Sequence, residues 1–334
     1  MFEPTEIIFA STSSCNLKCP HCFVNLGNSR LEIQDAINFL NSCKNSTIEK
    51  VGFSGGEPFL YQDFLTQIIQ AAVKNDLMFD RIMTNGDWWT KAPLLHEALQ
   101  KVYDAGFDGK IGLSWDAFHG QSFSRICVFI QEVMEVFGGD CLEIQTVLDS
   151  IDDTAVCPTD ELMLFNFQKL AEHFNLEFEY EMDKKSGRGW ATLQGQVELS
   201  SGPCDVFIPV NLERPTLQFN QKEAWQSKKW FKDDYCEGPG QILFVHPSGD
   251  IAPCCGFANE EKELFIGSIK DSFDQVMEKA SRNRMVNLCY NEGLSKAIRI
   301  LEKNGAELPF GPDSRTDNLC TFCQFACRNA DKLN

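Results

Sequence analysis

Three cysteines fall within the eight residues Cys15-Asn16-Leu17-Lys18-Cys19-Pro20-His21-Cys22. Spacings of three and two residues do not suit disulfides between these thiols, but they let a tight loop turn all three sulfurs onto one small inorganic centre. Iron–sulfur clusters are held by thiolates at short spacings of this kind. The residues alone leave two readings. One is a cluster bound at three corners, its fourth open to something that is not protein. The other is a zinc knuckle completed by His21.

Further along, an apolar strand runs into Val51-Gly52-Phe53-Ser54-Gly55-Gly56-Glu57-Pro58. Paired glycines let main chain approach a ligand closely, and exposed backbone there can meet a charged amine or carboxylate. With both motifs in view, the chain resembles the radical S-adenosylmethionine enzymes. Their hallmark is Cys-x3-Cys-x2-Cys after the first strand, with a Gly-Gly-Glu-Pro-like motif ending the second. The resemblance implies that Cys15, Cys19 and Cys22 hold three irons of a 4Fe–4S cluster while S-adenosyl-L-methionine chelates the fourth. One electron then cleaves the cofactor to a 5′-deoxyadenosyl radical that takes a hydrogen atom from the substrate. The protein supplies orientation and shielding.

The same resemblance implies cofactor contacts at Ser54, Gly55, Gly56 and Glu57, at Asn85 and Ser114, and at His21 against the adenine. Arg125 is expected to fork onto the cofactor carboxylate. Turn and cap chemistry is the competing account of Thr84-Asn85-Gly86 and Ser114-Trp115-Asp116, and His119 reads as a turn residue.

Composition narrows the class. A net charge of −18 argues against a general nucleic-acid partner, which needs a basic surface to neutralise phosphates. No apolar run is long enough to cross a bilayer and no signal peptide is visible, so a reducing, cytoplasmic setting is expected. Fifteen cysteines gathered toward the two ends point to ligands rather than a staple network.

Strand-like stretches at 6–11, 48–53, 79–83, 111–115, 142–148 and 176–182 alternate with helical ones at 31–40, 64–73, 94–103, 123–137 and 161–174. This pattern predicts an α/β fold with a parallel sheet, its ligands at the carboxyl ends of the strands. The resemblance makes it a partial (β/α)6 barrel. The expected organisation is a radical SAM core over 1–190 and a connecting segment and substrate wall over 191–235. A small cysteine-rich extension occupies 236–334. The connecting segment shows no clear periodicity, and its Trp225 and Trp230 read as packing residues. Cys43, Cys127 and Cys141 read as small buried hydrophobes.

Cys236 opens the extension, a hairpin follows over Gln241–His246 and Pro247-Ser248-Gly249-Asp250, and then Cys254-Cys255 and Cys320, Cys323 and Cys327. Paired cysteine groups suit a structural zinc. The arrangement also resembles the SPASM extension and its shortened form, twitch, which carry auxiliary clusters. Six cysteines, fewer than a full SPASM set, imply one auxiliary 4Fe–4S cluster. Cys236, Cys254, Cys320 and Cys323 are its ligands, Cys327 is a possible replacement, and Cys255 stays outside.

Three functions follow as expectations. The first is modification of a ribosomally made peptide by epimerisation, crosslinking or oxidation. The second is a twitch-type dehydrogenation of a small molecule, and the third is a zinc-bound, non-enzymatic interaction module. The cluster loop begins so early that no leader-peptide domain is expected ahead of it, which weighs against the first without deciding it. A low-potential donor such as flavodoxin or ferredoxin is the implied electron partner. Cys204 and Cys157 are the candidate hydrogen-atom donors.

Overall fold

The computed structural model describes residues 1–149, 158–183, 188–237 and 240–333. In chain order the first elements are β1 (Glu6–Ala10), α1 (Ile33–Ser42), β2 (Lys50–Ser54), α2 (Gln62–Lys74), β3 (Met78–Thr84) and α3 (Ala92–Asp104). Then come β4 (Lys110–Ser114), α4 (Phe123–Phe137), β5 (Leu142–Val147), α5 (Pro158–Phe174), β6 (Glu177–Met182), β7 (Gly189–Leu199) and β8 (Gly202–Glu213). The last stretch holds β9 (Gly240–Val245), β10 (Asp250–Cys254), β11 (Gly267–Ser268), α6 (Phe273–Arg282), α7 (Arg284–Asn287), α8 (Leu294–Lys303) and α9 (Leu319–Arg328). The chain divides into two compact units. One comprises Ser11–Arg30 and Val51–Pro215, the other Met1–Ala10, Leu31–Lys50 and Thr216–Asn334.

The first unit is the α/β body. Its strands lie in the order β2-β3-β4-β5-β8-β7-β6, which does not close on itself. β3–β4, β4–β5 and β5–β8 pair in parallel, as the expected parallel sheet requires. Strand and helix periodicities both follow from burial. Leu142, Ile144 and Thr146 alternate inward along β5, whereas α4 buries Ile126, Phe129, Ile130 and Val133 along one face. Trp115, 2% exposed, stands edge-on to Phe167 at 5.2 Å and fills the space between β4 and α5.

Two expectations change here. The stretch at 176–182 is not the next parallel strand: β6 lies at the far end of the order, antiparallel to β7, and β8 takes the place beside β5. Nor is 191–213 irregular. Ala191, Leu193, Val197 and Leu199 of β7 and Val206, Ile208, Val210 and Leu212 of β8 are buried at alternate positions, forming a long antiparallel hairpin. Residues 184–187 and Cys157 lie outside the described residues.

The second unit carries strands in the order β11-β10-β9-β1, with β9 parallel to β1 and antiparallel to β10. The expected hairpin is present, its tip at Gly249 with φ +90°, a conformation L side chains rarely adopt. Trp225, Phe322 and Phe325 are buried together, with Trp225 edge-on to Phe325 at 5.3 Å and Trp230 edge-on to Phe322 at 5.5 Å. The two tryptophans are thus packing residues. Burial pushes the thiols of Cys43 and Cys141 up to about 12 and that of Cys127 to about 11, so all three stay neutral inside the protein. Among the described residues no helix is long and apolar enough to cross a membrane.

Candidate metal centres

The cysteine loop leaves from Ser11, whose amide donates to the Ser54 carbonyl at the end of β2 (3.2 Å). Two further amides of the glycine motif donate back to the loop: Gly56 to Thr12 O at 2.7 Å and Glu57 to Ser14 O at 2.8 Å. The loop is also closed on itself. Ser13 N donates to Ser29 O and Gly27 N to Ser13 O, each at 3.0 Å, while Thr12 and Arg30 form a bridge. Gly56 therefore has a reason the sequence did not reveal. A Cβ there would lie 2.2 Å from the Ser14 carbonyl oxygen, so the position is reserved for close passage of the protein's own chain.

Glu57 is fully buried, at 0% exposure, and its carboxylate is consumed by protein. Oε1 accepts from Phe59 N (3.1 Å) and Thr84 Oγ1 (2.9 Å), and Oε2 from Asn85 N (2.9 Å). Burial pushes this carboxyl up to about 7 against the pull of those donors. Expected as a cofactor contact, it braces the end of β2 against the end of β3.

Each cysteine of the loop has a hydrogen-bond donor aimed at its sulfur. Leu17 N lies 3.4 Å and Asn85 Nδ2 3.7 Å from Cys15 Sγ; the Val24 amide serves Cys22 and the His119 ring serves Cys19. The three sulfurs also interact electrostatically with one another, and burial raises the thiols of Cys15 and Cys22. Three clustered, part-exposed thiols with donors directed at sulfur fit a thiolate-ligated iron–sulfur cluster. Asn85 is anchored for this contact: its side chain also donates to Asn16 Oδ1 at 3.0 Å, and its carbonyl accepts from Gln121 Nε2 at 2.7 Å.

Behind Cys19 stands a carboxylate that sequence reading ranked low. Asp116, 3% exposed, accepts at Oδ1 from Phe118 N (2.9 Å), His119 N (3.1 Å) and His119 Nδ1 (2.8 Å). Burial works against charge on His119, but the hydrogen bonds with Asp116 and Cys19 outweigh it and lift the imidazole to about 9. His21 completes the group, its Nε2 3.8 Å from Asp116 Oδ2 and its ring 5.0 Å from that of His119. Ligand atoms of the three side chains lie within 4.8 Å of one another. The three N–H donors on Oδ1 make the arrangement a hydrogen-bonded chain leading to Cys19.

The remaining expected residues divide. Ser54 and Ser114 stand at strand ends, and the Ser114 carbonyl accepts from Gln121 Nε2 at 2.8 Å. Gly55 takes φ +127°, which demands glycine. Arg125, expected at a cofactor carboxylate, has protein partners in this structure. It pairs with the Asp87 carboxylate, donates to Trp89 O at 2.5 Å and lies 3.8 Å over the Trp89 ring. Cys204 sits near the N-terminal end of β8, opposite to the strand ends that carry Ser114 and Asn85.

A family model described as a 4Fe-4S single cluster domain matches residues 7–117, the span that holds the loop, Glu57, Asn85 and Asp116. Over 88 residues, 25% of each chain, the protein is 39% identical to the S-adenosylmethionine-dependent nucleotide dehydratase RSAD2 of Oncorhynchus mykiss. It is 20% identical over 327 residues, 96% of this chain and 92% of the other, to the putative peptide biosynthesis protein YydG of Bacillus subtilis. A 4Fe-4S single cluster domain is thus matched over the first third of the chain, and the chain is similar in part to an S-adenosylmethionine-dependent enzyme. In fold it is similar to anSMEcpe, solved with bound AdoMet and Cp18Cys peptide, at a TM-score of 0.52 and 14% identity, covering 99% of this chain and 95% of that one.

The chain has a second cysteine nest, in the other unit. A cavity of about 20 Å³ is lined by Cys236, Cys254, Cys289, Cys320 and Cys323. Cys236, Cys254, Cys320 and Cys323 interact electrostatically in all six pairings, and burial raises the thiols of Cys236, to about 11, of Cys254 and of Cys320. The count of six available cysteines needs correcting. Cys289 is the seventh, its Sγ 3.8 Å from that of Cys323. Cys327 bonds Cys323 as well, and these two donors hold the Cys323 thiol below its usual range. Cys289 escaped sequence reading because it lies inside an apolar helical run. There the helix widens into a π-turn over Leu288–Glu292, a distortion that often marks functional sites. Cys255 interacts with Cys236, Cys254 and Cys320 at the edge of the nest.

Proposed function

We propose that this chain is a radical SAM enzyme that modifies a ribosomally synthesised peptide by epimerisation, crosslinking or oxidation. The observation that carries the reading is the loop itself: three cysteine sulfurs, each met by its own N–H donor, on a segment pinned to the glycine motif. Cys15, Cys19 and Cys22 would hold the 4Fe–4S cluster, with S-adenosylmethionine at its open corner. Together these groups supply one-electron chemistry that ends in hydrogen-atom abstraction from the substrate. The protein's part is orientation. Asn85 fixes Cys15, His119 fixes Cys19, and Glu57 holds the ends of β2 and β3 at constant separation. Ser54, Gly55, Gly56, Ser114 and His21 are the proposed surroundings of the cofactor.

Cys236, Cys254, Cys320 and Cys323 are the proposed ligands of one auxiliary 4Fe–4S cluster, with Cys289 and Cys327 supporting Cys323. The peptide reading is supported by the near-complete alignment with a putative peptide biosynthesis protein, which spans both cysteine groups. Phe23 and Leu26, 42% and 41% exposed on the cysteine loop, offer apolar surface to a peptide side chain.

The test is anaerobic reconstitution followed by iron, sulfide and zinc analysis, set beside a Cys15/Cys19/Cys22→Ala variant. About eight irons in the native chain and about four in the variant, with reductant-dependent formation of 5′-deoxyadenosine only by the native chain, are expected. Zinc without iron would remove the radical mechanism. Mass spectrometry in deuterated buffer then separates peptide outcomes: deuterium incorporation for epimerisation, loss of two hydrogens for crosslinking or oxidation.

A further inference from the structure

The sheet of the first unit ends on one side at β6, which pairs with β7 and with no other strand among the described residues. Asp183 N donates to Arg188 O at 2.8 Å, in register with the β6–β7 ladder. Hydrogen-bonded and non-bonded pairs alternate along an antiparallel ladder. Glu177, Glu179 and Glu181 therefore turn their N–H and C=O groups toward β7, while Phe178, Tyr180 and Met182 turn theirs to the open side. Such an edge is a template for a further strand.

The side chains of this edge decide which strand fits. Glu177, Glu179 and Glu181 are exposed and share one face, where their partners across the ladder are Gln194, Thr192 and Trp190. No cation is among those neighbours, and none of the three glutamates is ion-paired among the described residues. On the other face Phe178 stacks on Phe167 at 6.2 Å and on Tyr180 at 5.6 Å, and the Tyr180 ring, 52% exposed, ends the row. A second copy of β6 would set glutamates beside glutamates, which like charges oppose. A strand with lysine or arginine at alternate positions and apolar residues between them suits both faces.

We propose that the open edge of β6 takes up the peptide substrate as an added strand, through a segment that alternates basic and apolar residues. The inference rests on the peptide reading given above and names the chemistry of that segment. β6 and β2, the strand that leads into the glycine motif, stand at opposite ends of the strand order in this unit. The segment held at β6 is thus a recognition element, separate from the residue that reacts. Main-chain bonds supply its affinity, and the three glutamates supply selectivity and steering.

The experiment is fluorescence anisotropy on the reconstituted full-length chain. The probe is a labelled peptide of alternating lysine and valine, and the control its glutamate–valine counterpart. The variants are Tyr180→Pro, Tyr180→Val and Glu177/Glu179/Glu181→Lys, each checked for a native unfolding temperature. Proline is tolerated where the N–H faces away from the neighbouring strand, so Tyr180→Pro removes an outward donor and keeps the β6–β7 bonds. It is expected to weaken probe binding about tenfold, the worth of a main-chain hydrogen bond, and Tyr180→Val by less than about threefold. The lysine variant should reverse the preference and bind the glutamate–valine peptide. Equal probe binding by the native chain and Tyr180→Pro overturns the inference, as does an equal loss in Tyr180→Val and Tyr180→Pro. A native chain that sediments as a dimer, and that Tyr180→Pro converts to a monomer, also overturns it, since a second copy would then own the edge. The binding assay needs no turnover, so it succeeds or fails independently of the peptide reading. That reading falls instead if the holoenzyme forms 5′-deoxyadenosine in response to a small molecule and not to peptides.

Discussion

Gly56 passes so close to Ser14 that a Cβ at position 56 would sit 2.2 Å from the Ser14 carbonyl oxygen and 2.6 Å from its carbon. The obstacle is main chain and has no rotamer to yield. Gly56→Ala must therefore push the cysteine loop away from the end of β2 and break the amide bonds to Thr12 and Ser14. The expected cost is about 1–3 kcal/mol of stability. The expected signature is selective: irons of the loop are lost on reconstitution while those of the second nest are kept. Iron analysis beside thermal unfolding of the apo-protein checks both.

Glu57 makes stability depend on pH in a direction opposite to that of most carboxylates. Buried, it holds its proton up to about pH 7, whereas the unfolded chain releases it near 4.5. The folded state thus binds more protons across that window, and stability falls as pH rises from 4.5 to 7. The difference corresponds to on the order of 3 kcal/mol. Glu57→Gln has no proton to exchange, so its denaturant-unfolding free energy should lose this part of the slope. A slope equal to that of the native chain would disprove the assignment.

Arg125 is expected to matter for folding and not for cofactor affinity. Its guanidinium lies 3.8 Å over Trp89 and is paired with Asp87, whose carbonyl in turn accepts from Asn16 Nδ2 at 3.1 Å. Arg125→Ala should cost about 1–2 kcal/mol through the lost stacking and charge-assisted bonds. Affinity of the reconstituted variant for S-adenosylmethionine, measured by calorimetry, should change by less than about twofold. A tenfold loss with unchanged stability would restore the carboxylate role.

In the second nest, alanine at Cys236, Cys254, Cys320 or Cys323 should each remove about four irons and leave S-adenosylmethionine cleavage detectable. Cys255→Ser should retain the full complement. Cys289→Ser should retain it too, with an altered spectrum, because Cys289 contacts the ligand Cys323 at 3.8 Å. If Cys289→Ser instead loses the irons and Cys320→Ala does not, the proposed ligand set is wrong.

Much of this organisation was legible before the fold was known, because the features that carry it are local. The cysteine spacing, the glycine motif and the apolar strands ending at Ser54, Thr84 and Ser114 all announce themselves within a few residues. β7 and β8 were missed although their buried residues alternate. Gly195, Pro203 and Pro209 interrupt the pattern, and proline within a run normally argues against a paired strand. The protein partners of Arg125 and Glu57 were not legible because which groups meet a guanidinium or a carboxylate depends on residues far away in sequence. Asp87 and Trp89 precede Arg125 by more than thirty positions, and Thr84 follows Glu57 by 27. His119 reads as a turn residue and is one. Only the packing of its turn beneath the loop gives the ring a second task.

The self-closure of the cysteine loop, by bonds from Ser13 to Ser29 and from Gly27 back to Ser13, has a bearing on assembly. Gathering three thiols from an open segment costs on the order of a few kcal/mol of chain entropy, which would be drawn from the affinity for whatever is bound. Here the mouth of the loop is shut by main-chain bonds in which no cysteine sulfur takes part, so the three thiols are gathered by backbone as well as by whatever they bind.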